Sequence, residues 1–277
     1  MKTINDYICK KPRDMINKLK YAIIANIANF NPLYYDPKNE EQLITYCKKN
    51  GFSHLPSKDK KSVYKLVGNH FVEKKLEDVY TVNASDFIFD ESTISKFEEP
   101  NPNEIHFIVE RNRIKGMVHI VDYNNIYINV ELFKAILKFE SNLRQLLIEN
   151  DLENDDFIGW VADKAATEDS PYWNRKKNSL LNQRKYMKYA NQFQTFSFRD
   201  LLNFAQDKDI LPLTDKEIDD VSEVRNSLAH NRDVTSQMDD HNGSIVYDFV
   251  GLKFFAEKMR SFFNSYEVLK EKLQSKA

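Results

Sequence analysis

Glycine is scarce in this chain of 277 residues, which contains six glycines, roughly 2% against a usual ~7%. Neither GxGxxG nor GxxxxGK is present, so a glycine-rich phosphate loop is not expected. The apolar runs fall far short of the ~18 residues that a transmembrane helix needs. The N-terminal residues MKTINDYICKKPRDMIN also lack the apolar segment of a secretory signal, which favours a cytoplasmic protein.

Cysteine and excess charge are lacking as well. The two cysteines, Cys9 and Cys47, form no CxxC pair, so we expect neither a disulfide nor a zinc knuckle. The chain has 40 basic and 42 acidic residues, a net charge of −2, which excludes a globally basic nucleic-acid binder but not a local basic patch. Its histidines are scattered and no HExxH is present, so no metal site is predicted.

What the sequence does contain is 42% hydrophobic and 30% charged residues, enough apolar material for a core. Helical spacing predicts a helix over 14–30, and later a long helix over 131–150 and a final helix over 250–275. Short alternating runs predict strands, and those at 105–110 and 115–121 form a hairpin. We therefore predict an α+β protein with a tail and helix (1–30), an α/β domain (31–127) and an all-helical domain (128–277).

A basic segment follows an acidic one in the second half. Residues 171–199 contain no carboxylate, and aromatic residues are interspersed among the basic ones. Basic side chains attract phosphates and aromatic faces stack on unpaired bases, which predicts RNA binding through this segment. The alternative is a solvated helix face with aromatic residues in the core. The candidate RNA-binding residues are Arg175, Lys176, Lys177, Arg184 and Lys185.

The motif with the most chemical content is EVRNSLAHN, residues 223–231, near the end of a predicted helix. Its polar positions are Arg225, Asn226 and His230, whereas Val224 and Leu228 can pack inward. A bare R-x(4–6)-H match has little specificity, but the Asn after Arg and the Ala before His make this match more specific. The alternative is a helix C-terminus, with His230 near the negative end of the dipole and Asn231 as the stop.

Arg225-Asn226-x-x-Ala229-His230 resembles the R-N-x-x-x-H signature of HEPN ribonucleases, helical bundles that carry the signature before their last helix. Phe139-Glu140-x-x-Leu143-Arg144 is similar to the opening helix of that family. The resemblance covers roughly residues 131–275. Family members controlled by tyrosine AMPylation have Tyr two residues after the His, where this chain has Arg232, so that control is not expected.

The resemblance implies a metal-independent endoribonuclease that acts as a homodimer, with two motifs forming one composite cleft. The residue types agree with this chemistry. Histidine, with a pKa of ~6.5, is suited to removing the proton of a 2′-hydroxyl, and arginine is suited to supporting charge on the phosphorane. On an ideal helix Arg225 and His230 lie about 140° apart, so they do not share one face.

In the first half, the run Arg113 to Asp122 resembles a cystathionine-β-synthase (CBS) motif, whose usual ending is G-apolar-apolar-T/S-x-x-D. Gly116 and Asp122 match, and His119 stands at the Thr position. The resemblance implies a CBS pair that binds an adenine nucleotide at Gly116, His119 and Asp122, with phosphate contact in question because of His119. The alternative is that Asp122 only caps the helix that follows.

Together these features predict a cytoplasmic homodimer that cleaves RNA, with a CBS-like domain that binds an adenine nucleotide or serves as a scaffold. Conditional ribonucleases of toxin–antitoxin and antiphage defence systems resemble such an arrangement. No cofactor is required by this hypothesis. The alternative is a non-catalytic module that binds nucleotide or RNA and in which the motif serves dimer structure.

Overall fold

A computed structural model describes residues 15–98, 105–168, 170–187, 192–229, 236–238 and 245–275. The side chains of residues 15, 17, 185–187, 229, 236–238 and 245–247 lie outside this description. The fold mixes helices with small antiparallel sheets and is therefore α+β. Within the described residues, no helix combines the length and the apolar character needed to cross a membrane.

The chain divides into two compact units, each built from two stretches of sequence. Unit 1 comprises residues 1–132 and 231–257, and unit 2 comprises residues 133–230 and 258–277. Two long helices, one near the middle of the chain and one at its end, contribute residues to both units.

The strands that the structure describes all belong to unit 1. A three-stranded antiparallel sheet has the order β1 (His54–Pro56), β2 (Ser62–Val67), β3 (His70–Lys75). The strands β4 (His106–Glu110) and β5 (Arg113–Val118) form the expected hairpin, which pairs Phe107 with Met117. A third pair consists of β6 (Ser236–Met238) and β7 (Ile245–Tyr247).

The first predicted helix is shorter than its apolar spacing indicates. Helix α1 spans Met15–Lys20, and a 3₁₀ turn at Ile24–Asn26 follows instead of further helix. The backbone N–H groups of Ile24 and Ala25 donate to the carbonyls of Asp86 and Ala84, each at 2.9 Å. These tertiary hydrogen bonds replace the ones that a continuing helix would make, so the prediction over 14–30 was wrong beyond Lys20.

Unit 1 contains two other short α-helices among its described residues. Helix α2 spans Glu40–Asn50 and ends at Gly51, whose φ of +70° is the left-handed conformation that glycine adopts without strain. Helix α3 spans Glu91–Ile94. Cys47 of α2 is fully buried, and burial raises the pKa of its thiol.

The helices of unit 2 surround aromatic side chains. Phe139 lies in the long helix of residues Ile126–Glu149. The centroid of its ring lies 5.5 to 5.7 Å from the ring centroids of Phe198, Phe262 and Tyr266. The helices are α4 (Ile126–Glu149), α5 (Asn154–Thr167), α6 (Pro171–Met187), α7 (Phe198–Asp207), α8 (Asp215–Ala229) and α9 (Phe249–Gln274). Helix α4 begins five residues before the predicted 131 because the side chain of Asn125 caps it, accepting the N–H of Ile128 at 3.1 Å.

Candidate functional site

Helix α8 carries the first part of the Arg-Asn-x-x-x-His motif. The helix opens with a capping box, in which the Glu217 carboxylate accepts the N–H of Thr214 at 2.8 Å and the Thr214 hydroxyl accepts the N–H of Glu217 at 3.3 Å. Its inner face buries Ile218, Val221 and Val224. This packing fixes the rotation of α8 and leaves Arg225 on the adjacent, partly exposed face.

Arg225 is joined to α4 through the carboxylate of Glu140. The Nε of Arg225 lies 3.4 Å from Glu140 Oε1, and the Nη2 of Arg144 lies 3.1 Å from Glu140 Oε2. Arg144 also donates from Nε to the backbone carbonyl of Phe193 at 3.3 Å. One carboxylate therefore holds two guanidinium groups, and it neutralises one of their two positive charges.

The positive charge that Glu140 does not neutralise is accessible to a phosphate through Arg225. The side chain of Arg225 is 40% exposed, and its Nη1 lies 3.5 Å from the amide oxygen of the exposed Asn226. Glu140, in contrast, is 15% exposed. His230 lies outside the described residues, directly after the described end of α8 at Ala229.

The same face of α4 carries exposed apolar side chains. Phe133 is 53% exposed and Leu137 is 50% exposed. The positions 133, 137, 140 and 144 follow the i, i+4, i+7, i+11 spacing of one helix face. The exposed apolar surface of unit 2 is therefore continuous along α4 with the carboxylate that holds Arg225.

The basic segment contains both paired and open cations. Lys176 forms an ion pair with Asp200, a buried carboxylate that also accepts the hydroxyl of Tyr172 at 2.8 Å and bonds to Ser197. Burial, followed by the bond to Asp200, raises the pKa of Tyr172. Lys176 therefore serves packing between α6 and α7, which its charge alone did not reveal.

The other predicted RNA-binding residues differ in their ion pairing and in their exposure to solvent. Arg184 forms an exposed pair with Asp155 at 2.9 Å, whereas Arg175 is exposed and its Nε donates to the carbonyl of Pro171 at 3.3 Å. Lys177 is partly exposed, and the side chain of Lys185 is outside the described residues. Arg175 and Lys176 line a shallow groove of about 440 Å³ along α6.

Most described aromatic residues of the basic segment are in the core, as the alternative interpretation holds. Trp173, Phe193, Phe196 and Phe198 are buried. Tyr172, at 46% exposure, is the aromatic residue of the described segment that remains open for stacking on a base. The side chains of Tyr186 and Tyr189 lie outside the described residues.

Two of the three predicted nucleotide-binding residues line a cavity of about 400 Å³ in unit 1. His119 and Asp122 stand after the end of β5 and belong to this lining. Gly116 does not: a Cβ at this position would lie 2.9 Å from the Phe30 ring and 3.0 Å from the carbonyl oxygen of Asn29. Gly116 is therefore required by close packing.

Asp122 lies within the 3₁₀ turn Ile120–Asn124 and caps the start of that turn, whereas the alternative interpretation has it cap the helix that follows, α4, which Asn125 caps instead. Its Oδ2 accepts the N–H of His119 at 2.7 Å. Burial raises the pKa of Asp122 to about 6, and this hydrogen bond opposes the rise. Burial, followed by the proximity of His106, lowers the pKa of His119.

Sequence reasoning missed several residues of both sites. Only the family resemblance includes Glu140, because a salt bridge across 85 positions has no local signal in the sequence. The cavity lining includes Asn50, the last residue of α2, and Phe52 and Ser53, which lie between α2 and β1, and these residues carry no recognisable motif. Among the described residues, no group of three or more His, Cys, Asp or Glu is placed to hold a metal ion.

Comparison of the chain with protein-family models found no match, and comparisons with curated proteins and with solved structures found none either.

Proposed function

We propose that this chain is a metal-independent endoribonuclease whose catalytic residues are Arg225, Asn226 and His230. The observation that carries the proposal is the orientation of Arg225: Glu140 holds it at 3.4 Å while 40% of its side chain stays exposed. The pair with the half-buried Glu140 fixes one edge of the guanidinium and leaves its other edge at the surface. An arginine that is held at one edge and open at the other is suited to a phosphate.

In the proposed reaction His230 removes the proton of an RNA 2′-hydroxyl, and the resulting oxygen attacks the adjacent phosphorus. Arg225 stabilises the added negative charge of the phosphorane, and Asn226 donates a hydrogen bond to the RNA. The bond from phosphorus to the 5′-oxygen then breaks, that oxygen takes a proton from water, and the hydroxide left behind takes the proton from His230, which returns to its neutral form. The products are a 2′,3′-cyclic phosphate and a 5′-hydroxyl.

The resemblance to HEPN ribonucleases agrees with this proposal and adds a homodimer with a composite cleft. The exposed apolar residues Phe133 and Leu137 support such a dimer, because they lie on the face of α4 that also carries Glu140. Two copies joined through this face would have their Arg225 side chains near the two-fold axis. In the same proposal the α/β half is a CBS-like domain.

The catalytic proposal is tested by single-turnover cleavage of a fluorescent single-stranded RNA by the full chain. We expect His230→Ala and Arg225→Lys each to lower the rate at least 100-fold, since each removes a group needed in the transition state. Glu149→Gln is the matched control, because Glu149 is exposed and bonded to Gln145 on the same helix as Glu140. RNA binding without any cleavage by the wild type would support the non-catalytic module instead.

The dimer is tested separately by sedimentation at micromolar concentration. We expect a wild-type dimer and a monomeric Phe133→Asp/Leu137→Asp variant, because a charge on each residue opposes burial of the apolar face. Leu181→Asp is the control, since Leu181 is also an exposed apolar residue of unit 2, at 48% exposure, but lies on α6. A monomeric wild type that still cleaves RNA would contradict the composite cleft and leave the catalytic residues in place.

A further inference from the structure

The cavity in unit 1 is mostly apolar but contains an incompletely bonded carboxylate. Its apolar lining comes from Phe52, Ile105, Met117, Val118 and Val121. Its volume of about 400 Å³ lies within the range of small-molecule sites. Asp122 uses Oδ2 for the N–H of His119, and its Oδ1 has no partner among the described residues.

The described lining provides no positive charge to balance this carboxylate. It contains no Lys or Arg. The other titratable lining residue is His119, whose lowered pKa keeps it neutral at pH 7. A phosphate would therefore meet a negative charge with no cation beside it, which argues against the adenine nucleotide that the CBS resemblance implies.

Two of the remaining polar side chains of the lining provide acceptors, whereas Asn29, whose Oδ1 accepts the N–H of Asn31 at 2.8 Å, offers its amide N–H groups. The side-chain amide of Asn50 donates from Nδ2 to the carbonyl of Tyr46 at 2.8 Å, which leaves its Oδ1 as an acceptor. Ser53 also lines the cavity, and its hydroxyl oxygen, which lies 2.8 Å from His54 Nδ1, has a second lone pair for a ligand. Together with Asp122 these two residues provide three side-chain oxygens, the number of N–H donors on a primary ammonium group.

We propose that this cavity binds a small organic cation, a protonated amine on an apolar body, with Asp122 as the counterion. The apolar walls cover the body of the ligand, and Phe52 provides an aromatic face for its positive end. A lone carboxylate is insufficient for a divalent metal ion, which requires several oxygen ligands in a set geometry. The proposal is independent of the ribonuclease activity.

Calorimetry on the full chain at neutral pH with three probes of one shape tests the proposal. Phenethylamine, phenylethanol and phenylpropionate share a ring and a short chain and differ in charge. We expect phenethylamine to bind at least tenfold more tightly than phenylethanol and phenylpropionate not to bind. AMP and adenosine are included, and tighter binding of either than of phenethylamine would overturn the proposal.

Two variants connect the binding to Asp122. Asp122→Asn keeps an oxygen acceptor for the N–H of His119 but removes the charge, so we expect at least a tenfold loss of phenethylamine affinity. Asp90→Asn is the control, because Asp90 is an exposed aspartate of unit 1 just before α3. Unchanged phenethylamine affinity in Asp122→Asn overturns the proposal, and the comparison of the three probes on the wild type decides the question if that variant does not fold.

Discussion

Asp122 is expected to destabilise the folded protein at neutral pH, and Asp122→Asn should therefore be more stable than the wild type. Burial raises the pKa of this carboxyl from 3.8 to about 6. The folded protein therefore holds the proton more tightly than the unfolded chain does. Asparagine has nearly the same shape and keeps the oxygen that accepts the N–H of His119, so the substitution removes the charge and retains the cap.

The size of the effect follows from the shift in pKa. A rise from 3.8 to about 6 is about two pH units, and at 1.36 kcal/mol per unit it corresponds to at most about 3 kcal/mol. Below about pH 4 the carboxyl is protonated in both states, and wild type and variant should have similar free energies of unfolding. As the pH rises to about 6 the wild type loses stability relative to the variant, and above that the difference stays constant.

The difference in free energy of unfolding between the wild type and Asp122→Asn can be measured by urea unfolding, followed by circular dichroism, from about pH 4 to about pH 8. Fluorescence of Trp160 and Trp173, both in unit 2, reports on the other unit. Burial and the proximity of His106 lower the pKa of His119, and both causes are present in the wild type and in the variant, so the contribution of His119 cancels in the comparison. Asp90→Asn provides the baseline for a substitution at an exposed aspartate.

A stability difference that does not change with pH would refute the argument, because it would show that the carboxyl ionises equally easily in the folded and unfolded states. A variant less stable than the wild type at pH 7 would show that the cap requires a full negative charge. Either result would also weaken the case for Asp122 as the counterion of a bound amine.

Three further predictions concern packing and charge. Gly116→Ala should cost about 1 to 3 kcal/mol in urea unfolding, since the added Cβ would lie 3.0 Å from a backbone oxygen. Lys176→Met should cost about 3 kcal/mol, because it leaves the buried Asp200 without its cation, whereas a stability change under about 0.5 kcal/mol would place Lys176 at the surface. Neutralising Arg175 and Lys177 together should flatten the salt dependence of RNA affinity by about 1.4 units of slope, and an unchanged slope would exclude the two residues from the interface.

Local patterns predicted those parts of the fold that short-range physics determines. Helix α2 ends at Gly51 because glycine accepts the left-handed conformation there, and the sequence shows this directly. The β4–β5 hairpin was also confirmed, although its turn contains no glycine: Arg111 and Asn112 adopt positive φ of 51° and 57°. In both places the apolar pattern and the turn indicate the same structure.

Features that depend on distant partners could not be predicted in this way. The apolar spacing after Lys20 is helical, yet hydrogen bonds to the segment around Asp86 end the helix. Each compact unit combines two separate stretches of chain, whereas periodicity read along a sequence yields contiguous domains. The charge of Lys176 predicts a nucleic-acid contact, and only its position beside Asp200 identifies it as a packing residue.

Because Glu140 binds both Arg144 and Arg225, the ribonuclease proposal predicts that a substitution of Glu140 strengthens RNA binding and slows catalysis at the same time. Glu140→Gln removes a negative charge beside Arg144 and Arg225, so the net charge of the three groups rises from one to two. Attraction of RNA should increase, while Arg225 loses its ion pair, and the one oxygen that glutamine retains can accept from only one of the two arginines in the present geometry. We therefore expect KM to fall and kcat to fall about tenfold or more, with Glu149→Gln unchanged in both. A fall in kcat with a higher KM would instead indicate that the substitution disturbs the packing of α4 and α8.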